Sequence, residues 1–132
     1  MDEKKLKTIL EAHGKWLAGN GGERADLCNA NLRGANLCDA NLCNANLCDA
    51  DLRGADLTEK IVKIGPIGSR KSYTVYNATR DVVQCGCWNN YKGGTLEEFR
   101  ARVDDVYKDG QYRKEYMAAI EFFQAIKNME KE

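Results

Sequence analysis

From Ala25 the chain reads ADLCN, ANLRG, ANLCD, ANLCN, ANLCD, ADLRG, ADLTE, seven five-residue units without a gap. Ala stands at 25, 30, 35, 40, 45, 50 and 55, Leu at 27, 32, 37, 42, 47, 52 and 57, and Asp or Asn always lies between them. A period of five matches neither the helical nor the strand repeat. On an α-helix a leucine at every fifth position spirals round the cylinder and buries no stripe. Within one unit, however, Ala and Leu are two residues apart and share a face of an extended segment. The last residues of the units are Asn29, Gly34, Asp39, Asn44, Asp49, Gly54 and Glu59. All but Glu59 belong to the types that best tolerate positive φ, which the third position of a type II turn requires. Each unit is therefore expected to be a short extended side followed by a sharp corner.

Corners of one hand wind a chain into a coil. If four sides close one coil the period becomes 20 residues, and successive rows lie about 4.8 Å apart. Leu27 then stacks on Leu47, Leu32 on Leu52 and Leu37 on Leu57. The expected interior is Leu27, Leu32, Leu37, Leu42, Leu47, Leu52 and Leu57, with Ala30, Ala35, Ala40, Ala45, Ala50 and Ala55 filling the narrow remainder. The intervening Asp or Asn and the residue after Leu point outward. A disordered low-complexity segment is disfavoured, since fixed leucine spacing has no purpose without a core. The A(D/N)LXX pattern in seven consecutive copies resembles the pentapeptide-repeat family, and the resemblance implies a right-handed quadrilateral β-helix. IGPIGSR, and QCGCW followed by TLEEF, are also similar to tails of uncharacterised bacterial and phage members of that family. That second likeness brings no function with it.

The rest of the chain has a different composition. Of the eleven aromatic residues only Trp16 precedes residue 70. The expected fold is mainly β: a short solenoid with an N-terminal capping helix at 1–19, the coil at 20–69 and an α+β capping region at 70–132, built from a hairpin and two helices. Residues 3–18 place Leu6, Ile9, Leu10, His13, Trp16 and Leu17 on one side of a helix, and Gly19, Gly21 and Gly22 stop it. The five-residue frame continues through Val62 and Ile67 up to a turn at 65–72. Residues 73–77 and 82–88 read as two strands joined around 78–81. Thr95 and Glu98 form a capping box for a helix whose inner face is Leu96, Phe99, Val103, Val106 and Tyr107. A last helix, at about 111–128, buries Tyr112, Tyr116, Ala119, Ile120, Phe123 and Ile126.

Six cysteines are the first candidates for chemistry. Cys28, Cys38, Cys43 and Cys48 take the outward position after Leu, where they either carry thiol or metal chemistry or simply occupy a site open to small residues. Cys85 and Cys87 flank Gly86 and share one face of a strand, so two thiolates there could begin a soft-metal site. A closed zinc site needs four ligands, His13 is the only histidine, and no paired CxxC spacing occurs. Structural burial is the competing explanation for both cysteines. Gly65, Pro66, Gly68, Arg70 and Lys71 could hold an anion weakly, although the glycine spacing is not that of a phosphate loop. No arrangement of nucleophile, base and acid accompanies His13.

Net charge is zero, with 20 basic and 20 acidic residues, which argues against a general nucleic-acid binder. The repeat alone carries a net charge of −4. Some pentapeptide-repeat proteins mimic DNA and bind gyrase, but that reading calls for a long acidic rod. Here two rows rise only about 10 Å, and Arg33 and Arg53 interrupt one side. No stretch is long and apolar enough to cross a membrane, and residues 1–5 begin no secretory signal, so reduced cysteines and a cytoplasmic location are expected. The expectation is a non-enzyme without cofactor, acting as a rigid protein-interaction or structural module on an unidentified protein partner, with neither nucleic acid nor membrane as ligand. An uncovered coil edge or ring-rich surface would pair two copies into a homodimer. A thiol or metal protein using Cys85 and Cys87, and a gyrase-directed DNA mimic, are the alternatives.

Overall fold

A computed structural model describes residues 1–38, 40–47, 49–68, 71–85, 88 and 93–131. The chain divides into two compact units, Met1–Glu59 and Lys60–Glu132.

The first unit opens with α1 (Glu3–Leu17), whose N-cap is Asp2, its carboxylate accepting from the Lys4 amide at 3.1 Å. Leu6 and His13 are the buried residues of α1. Ile9, Leu10, Trp16 and Leu17 are half-buried. Past the helix the chain doubles back so that the Glu23 amide donates to the Ala12 carbonyl. Gly22 permits this, because a Cβ there would stand 2.2 Å from that carbonyl oxygen.

In the repeat, residues 20 apart pair in parallel. Asp26 bridges Asn46 and Asn31 bridges Asp51, while β1 (Asn36–Leu37) pairs with β2 (Asp56–Leu57), Leu37 opposite Leu57. The ladder repeats one bonding scheme: Leu27 and Leu32 donate to the Asn46 and Asp51 carbonyls, and Asn46, Asp51 and Asp56 donate to Ala25, Ala30 and Ala35. Every corner is closed by an Ala amide donating to the Leu carbonyl three residues back, from Ala30–Leu27 through Ala55–Leu52. Asn29, Gly34, Asn44, Asp49 and Gly54, the third residues of these turns, all have positive φ.

These short strands form a small sheet and two bridges among the described residues, not a closed solenoid. Corners every five residues leave only one or two residues per side extended enough to pair, and the repeat provides fewer than two full rows. Among the described residues the helices also hold more residues than the strands, so these residues are not mainly β. Leu27, Leu32, Leu37, Leu42 and Leu47 are buried, with Ala45 and Ala50. Leu52, Leu57, Ala30, Ala35, Ala40 and Ala55 are only half-buried. With so few rows there is no interior coil, and many side chains keep one side toward an end.

The ladder stops at Glu59. By the bonding scheme, the Leu42 amide would donate to a carbonyl in a following row. The buried Glu59 carboxylate accepts it instead, at 3.0 Å. Beside it the Thr58 hydroxyl donates to the Cys38 carbonyl.

The second unit contains a three-stranded antiparallel sheet of β3 (Ile61–Ile67), β4 (Ser72–Asn77) and β5 (Val82–Cys85), with β4 in the centre. Residues 61–67 therefore leave the five-residue frame, and Val62 and Ile67 do not continue the leucine column. Val62 lies opposite Tyr76, and both Val62 and Ile67 pack against the core of this unit. The β3–β4 register shifts between Ile64 and Ile67, where Pro66 has no amide to donate. α2 (Leu96–Val106) has the Thr95–Glu98 capping box, and α3 (Gly110–Glu130) follows it. Tyr76, Val83, Leu96, Phe99, Val103, Tyr116, Ala119, Ile120 and Phe123 form the core. Two expected core residues lie outside it: Val106 is 45% exposed, in the last turn of α2, and Tyr112 is 41% exposed. Tyr112, at the start of α3, rests edge-on against Tyr107 at 6.2 Å.

Candidate functional site

The outward surface of the repeat follows from its corners. The Oδ1 atoms of Asp26, Asn31, Asn36, Asn41 and Asp51 each accept from the backbone amide two residues on, at 3.0–3.2 Å. This is the Asx turn, and it explains why only Asp or Asn fits the second position of a unit. Side-chain variation falls to the two residues after Leu.

On one side Arg33 and Arg53, 20 residues apart, surround Asp51. Arg53 grips it with two bonds, Nε to Oδ1 at 2.9 Å and Nη2 to Oδ2 at 2.7 Å. Arg33 Nε stands 4.0 Å from Oδ2. The Arg53 guanidinium holds the Asp51 carboxyl well below the usual carboxylate range, with its backbone amide and the Arg33 charge acting in the same direction. Arg33 and Arg53 remain exposed. This side thus presents two guanidiniums about one carboxylate rather than an acidic stripe.

Of the repeat's outward cysteines, Cys28 is exposed and Cys38 and Cys43 are half-buried. Cys48 lies outside the described residues. Cys85 is half-buried, packs against the second unit's core and accepts a bond from the Thr74 hydroxyl at 3.6 Å. Its expected companion Cys87 lies outside the described residues. Among the described residues no three His, Cys, Asp or Glu side chains group as metal ligands.

The turn at 65–72 has Ser69 and Arg70 outside the described residues. The Gly68 amide donates to Glu115 Oε1 at 2.7 Å. That bond, with one from Gln111, lowers the Glu115 pKa. A carboxylate therefore occupies the place an anion would take at this amide, and its charge opposes a second anion.

Three polar centres had no clear sequence signal. The first is the setting of His13, which is 0% exposed. Its Nδ1 accepts the Ala25 amide at 3.0 Å and its Nε2 lies 2.9 Å from the Cys43 carbonyl. An amide can only donate, so Nδ1 is unprotonated and the single proton sits on Nε2, which donates to Cys43. Burial lowers the His13 pKa, the Cys43 bond and the Glu59 charge work against that, and Arg24 adds to it. Trp16 stacks on the ring at 5.6 Å. Helical spacing placed His13 on the inner side of α1, but the two bonding partners come from residues 12 and 30 positions away. The second centre is Glu59, described above.

The third is Asp81, at a positive φ of 57° in the β4–β5 turn. Its Oδ1 accepts from the Tyr76 hydroxyl at 2.9 Å and the Leu96 amide at 3.2 Å, and its Oδ2 pairs with Lys127 at 3.1 Å. Burial works to raise the Asp81 pKa, but these bonds outweigh it and the net shift is downward. Burial also pushes the Tyr76 hydroxyl far up, helped by Asp81. The centre ties the sheet to both C-terminal helices and is structural in character.

No helix is long and apolar enough to cross a membrane among the described residues. Residues 23–58 match the family model of pentapeptide repeats, in eight copies. No curated protein and no solved structure matches the chain.

Proposed function

We propose that this pentapeptide-repeat chain is a non-enzymatic module whose repeat winds as a short right-handed quadrilateral β-helix and offers a rigid surface to a protein partner in the cytoplasm. The observation that carries the reading is the pairing at a constant interval of 20 residues, with every described corner closed by the same bond. Such a ladder fixes the direction of each outward side chain before a partner arrives, which lowers the entropy cost of binding. Arg33, Asp51 and Arg53 show the consequence, since residues far apart in sequence form one charged group on one side.

Amide hydrogen exchange on the intact, reduced chain tests the rigidity. Leu27, Leu32, Asn46, Asp51 and Asp56 are expected to exchange as slowly as Ala119 and Ile120 in the core of α3. Rapid exchange throughout 25–59 would remove the basis for a rigid module. A turnover abolished by substituting a single named side chain would overturn the non-enzymatic reading.

A further inference from the structure

The only histidine of the chain is a fully buried side chain that joins α1 to the repeat and is competent in one protonation state. Nε2–H donates to Cys43, and Nδ1 receives the Ala25 amide. Adding a proton at Nδ1 would set one N–H against another at 3.0 Å, inside a site from which water is excluded. The cost is therefore twofold, a buried charge and a lost acceptor. Two charged groups face the ring: Arg24, from the segment after α1, opposes protonation, and Glu59, from the last repeat unit, favours it. On its own helix the ring meets Trp16, which carries no charge.

The histidine joins α1 to the start of the repeat at the Ala25 amide and to a later corner at the Cys43 carbonyl, beside the edge of the first row. Asp26, Asn31 and Asn36 use their flanking backbone groups to pair with the second row. A parallel ladder alternates direction, so their own carbonyls point the other way. The Asn31 carbonyl is met there by the Met1 nitrogen, at 2.8 Å, immediately ahead of α1. Leu6, two helical turns before His13, is buried with it, and the outer face of α1 is mostly charged. Ile9, Leu10, Trp16 and Leu17 are half-buried on the same helix, and His13 supplies two polar bonds from α1 to the repeat.

We propose that α1 is a proton-released clasp: protonation of His13 detaches the helix from the repeat and bares the edge of the first row, while the second unit stays folded. An unpaired strand edge is a template for adding another strand, so acidification converts a closed end of the repeat into an open one. The inference is independent of the rigid-module reading, since a clasp can open on a repeat of any purpose.

The test is NMR on the full chain across pH 7.5 to 4.5, following the His13 ring signals and amide exchange corrected for its intrinsic rate. Below the ordinary histidine value of 6.5, detachment linked to one proton grows tenfold per pH unit. Protection of the Ala25 amide and of residues 4–17 should fall by that factor, while Ile120 and Phe123 keep theirs. His13→Gln retains one donor and one acceptor without a titrating ring, so its α1 protection should be flat over this range. Protonation of His13 with α1 still docked would overturn the proposal. So would an equal pH response in His13→Gln, or loss of both units in a single transition. Should His13→Gln fail to dock α1 at pH 7.5, coincidence of ring titration and helix release in the unmodified chain decides the matter, and separate midpoints refute the clasp.

Discussion

Replacing Glu59 tests the idea that a side chain stands in for the missing next row. The Leu42 amide is buried and bonds to Glu59 Oε1 at 3.0 Å, and Glu59 is only 6% exposed. Glu59→Ala removes the acceptor and leaves that amide without it. Bonds to charged groups contribute about 1.5–3 kcal/mol, and an unsatisfied buried donor costs about 1–3 kcal/mol, two descriptions of one loss that are not added. The expected destabilisation of the first unit is therefore about 2 kcal/mol, a factor of roughly 30 in its opening equilibrium. Glu59→Gln keeps an oxygen in reach of Leu42 and surrenders only the charge, so its loss should be about half as large. Exchange of the Asn46, Asp51 and Asp56 amides reads the first unit alone, since all three donate within the ladder. Opening should rise in the order native, Glu59→Gln, Glu59→Ala. Equal exchange in all three proteins, or a larger loss for Gln than for Ala, would show that the carboxylate does not terminate the ladder.

Other consequences are equally direct. Gly54 closes a corner at φ 71°, and a Cβ there would meet the Gly34 backbone nitrogen at 3.7 Å, an ordinary contact. Gly54→Asn should cost only a few tenths of a kcal/mol while Gly54→Val costs about 1–2 kcal/mol, measured as thermal midpoints. Asp81→Ala strands the Tyr76 hydroxyl, the Leu96 amide and the Lys127 ammonium, and should destabilise the second unit by about 3 kcal/mol in urea titration, whereas Lys127→Met should cost less. His13 has a folded-state pKa below its ordinary 6.5, so the unfolded chain binds the proton more readily. Its contribution to stability is complete above pH 6.5 and is lost as pH falls toward the folded value, at no more than about 1.4 kcal/mol per pH unit. Urea titrations of the first unit at pH 7.5 and 5.5 read that slope, and stability rising on acidification would contradict the assignment.

Much of the first unit was legible because its code is local. A residue able to hold positive φ every fifth position dictates a corner, and Leu two residues after Ala dictates which face turns inward. The capping box of α2 was legible for the same reason, since Thr95 and Glu98 satisfy backbone groups within one turn. The Asx turns were local too, and the invariable Asp or Asn of each unit was their signal.

The failures share the opposite property. Ile61–Ile67 carries no strict alternation, and its five-residue spacing fits the repeat as well as it fits a strand. Its choice of β4 as partner rests on contacts with Tyr76 and Thr74 that no window of sequence contains. Extending the coil to residue 69 was therefore a reasonable local reading that long-range pairing overrode. Cys85 is placed by its packing against the core of the second unit.

By itself, then, the sequence determined the corners and the pairing interval of 20, because backbone dihedrals are properties of neighbouring residues. Tertiary structure alone decided where the ladder ends, which tautomer His13 adopts and what the Asp81 carboxylate ties together. Those outcomes depend on which buried donor meets which acceptor. The partners, Glu59 with Leu42, His13 with Ala25 and Cys43, and Asp81 with Leu96 and Lys127, lie 12 to 46 residues apart. Only folding brings them within hydrogen-bond distance.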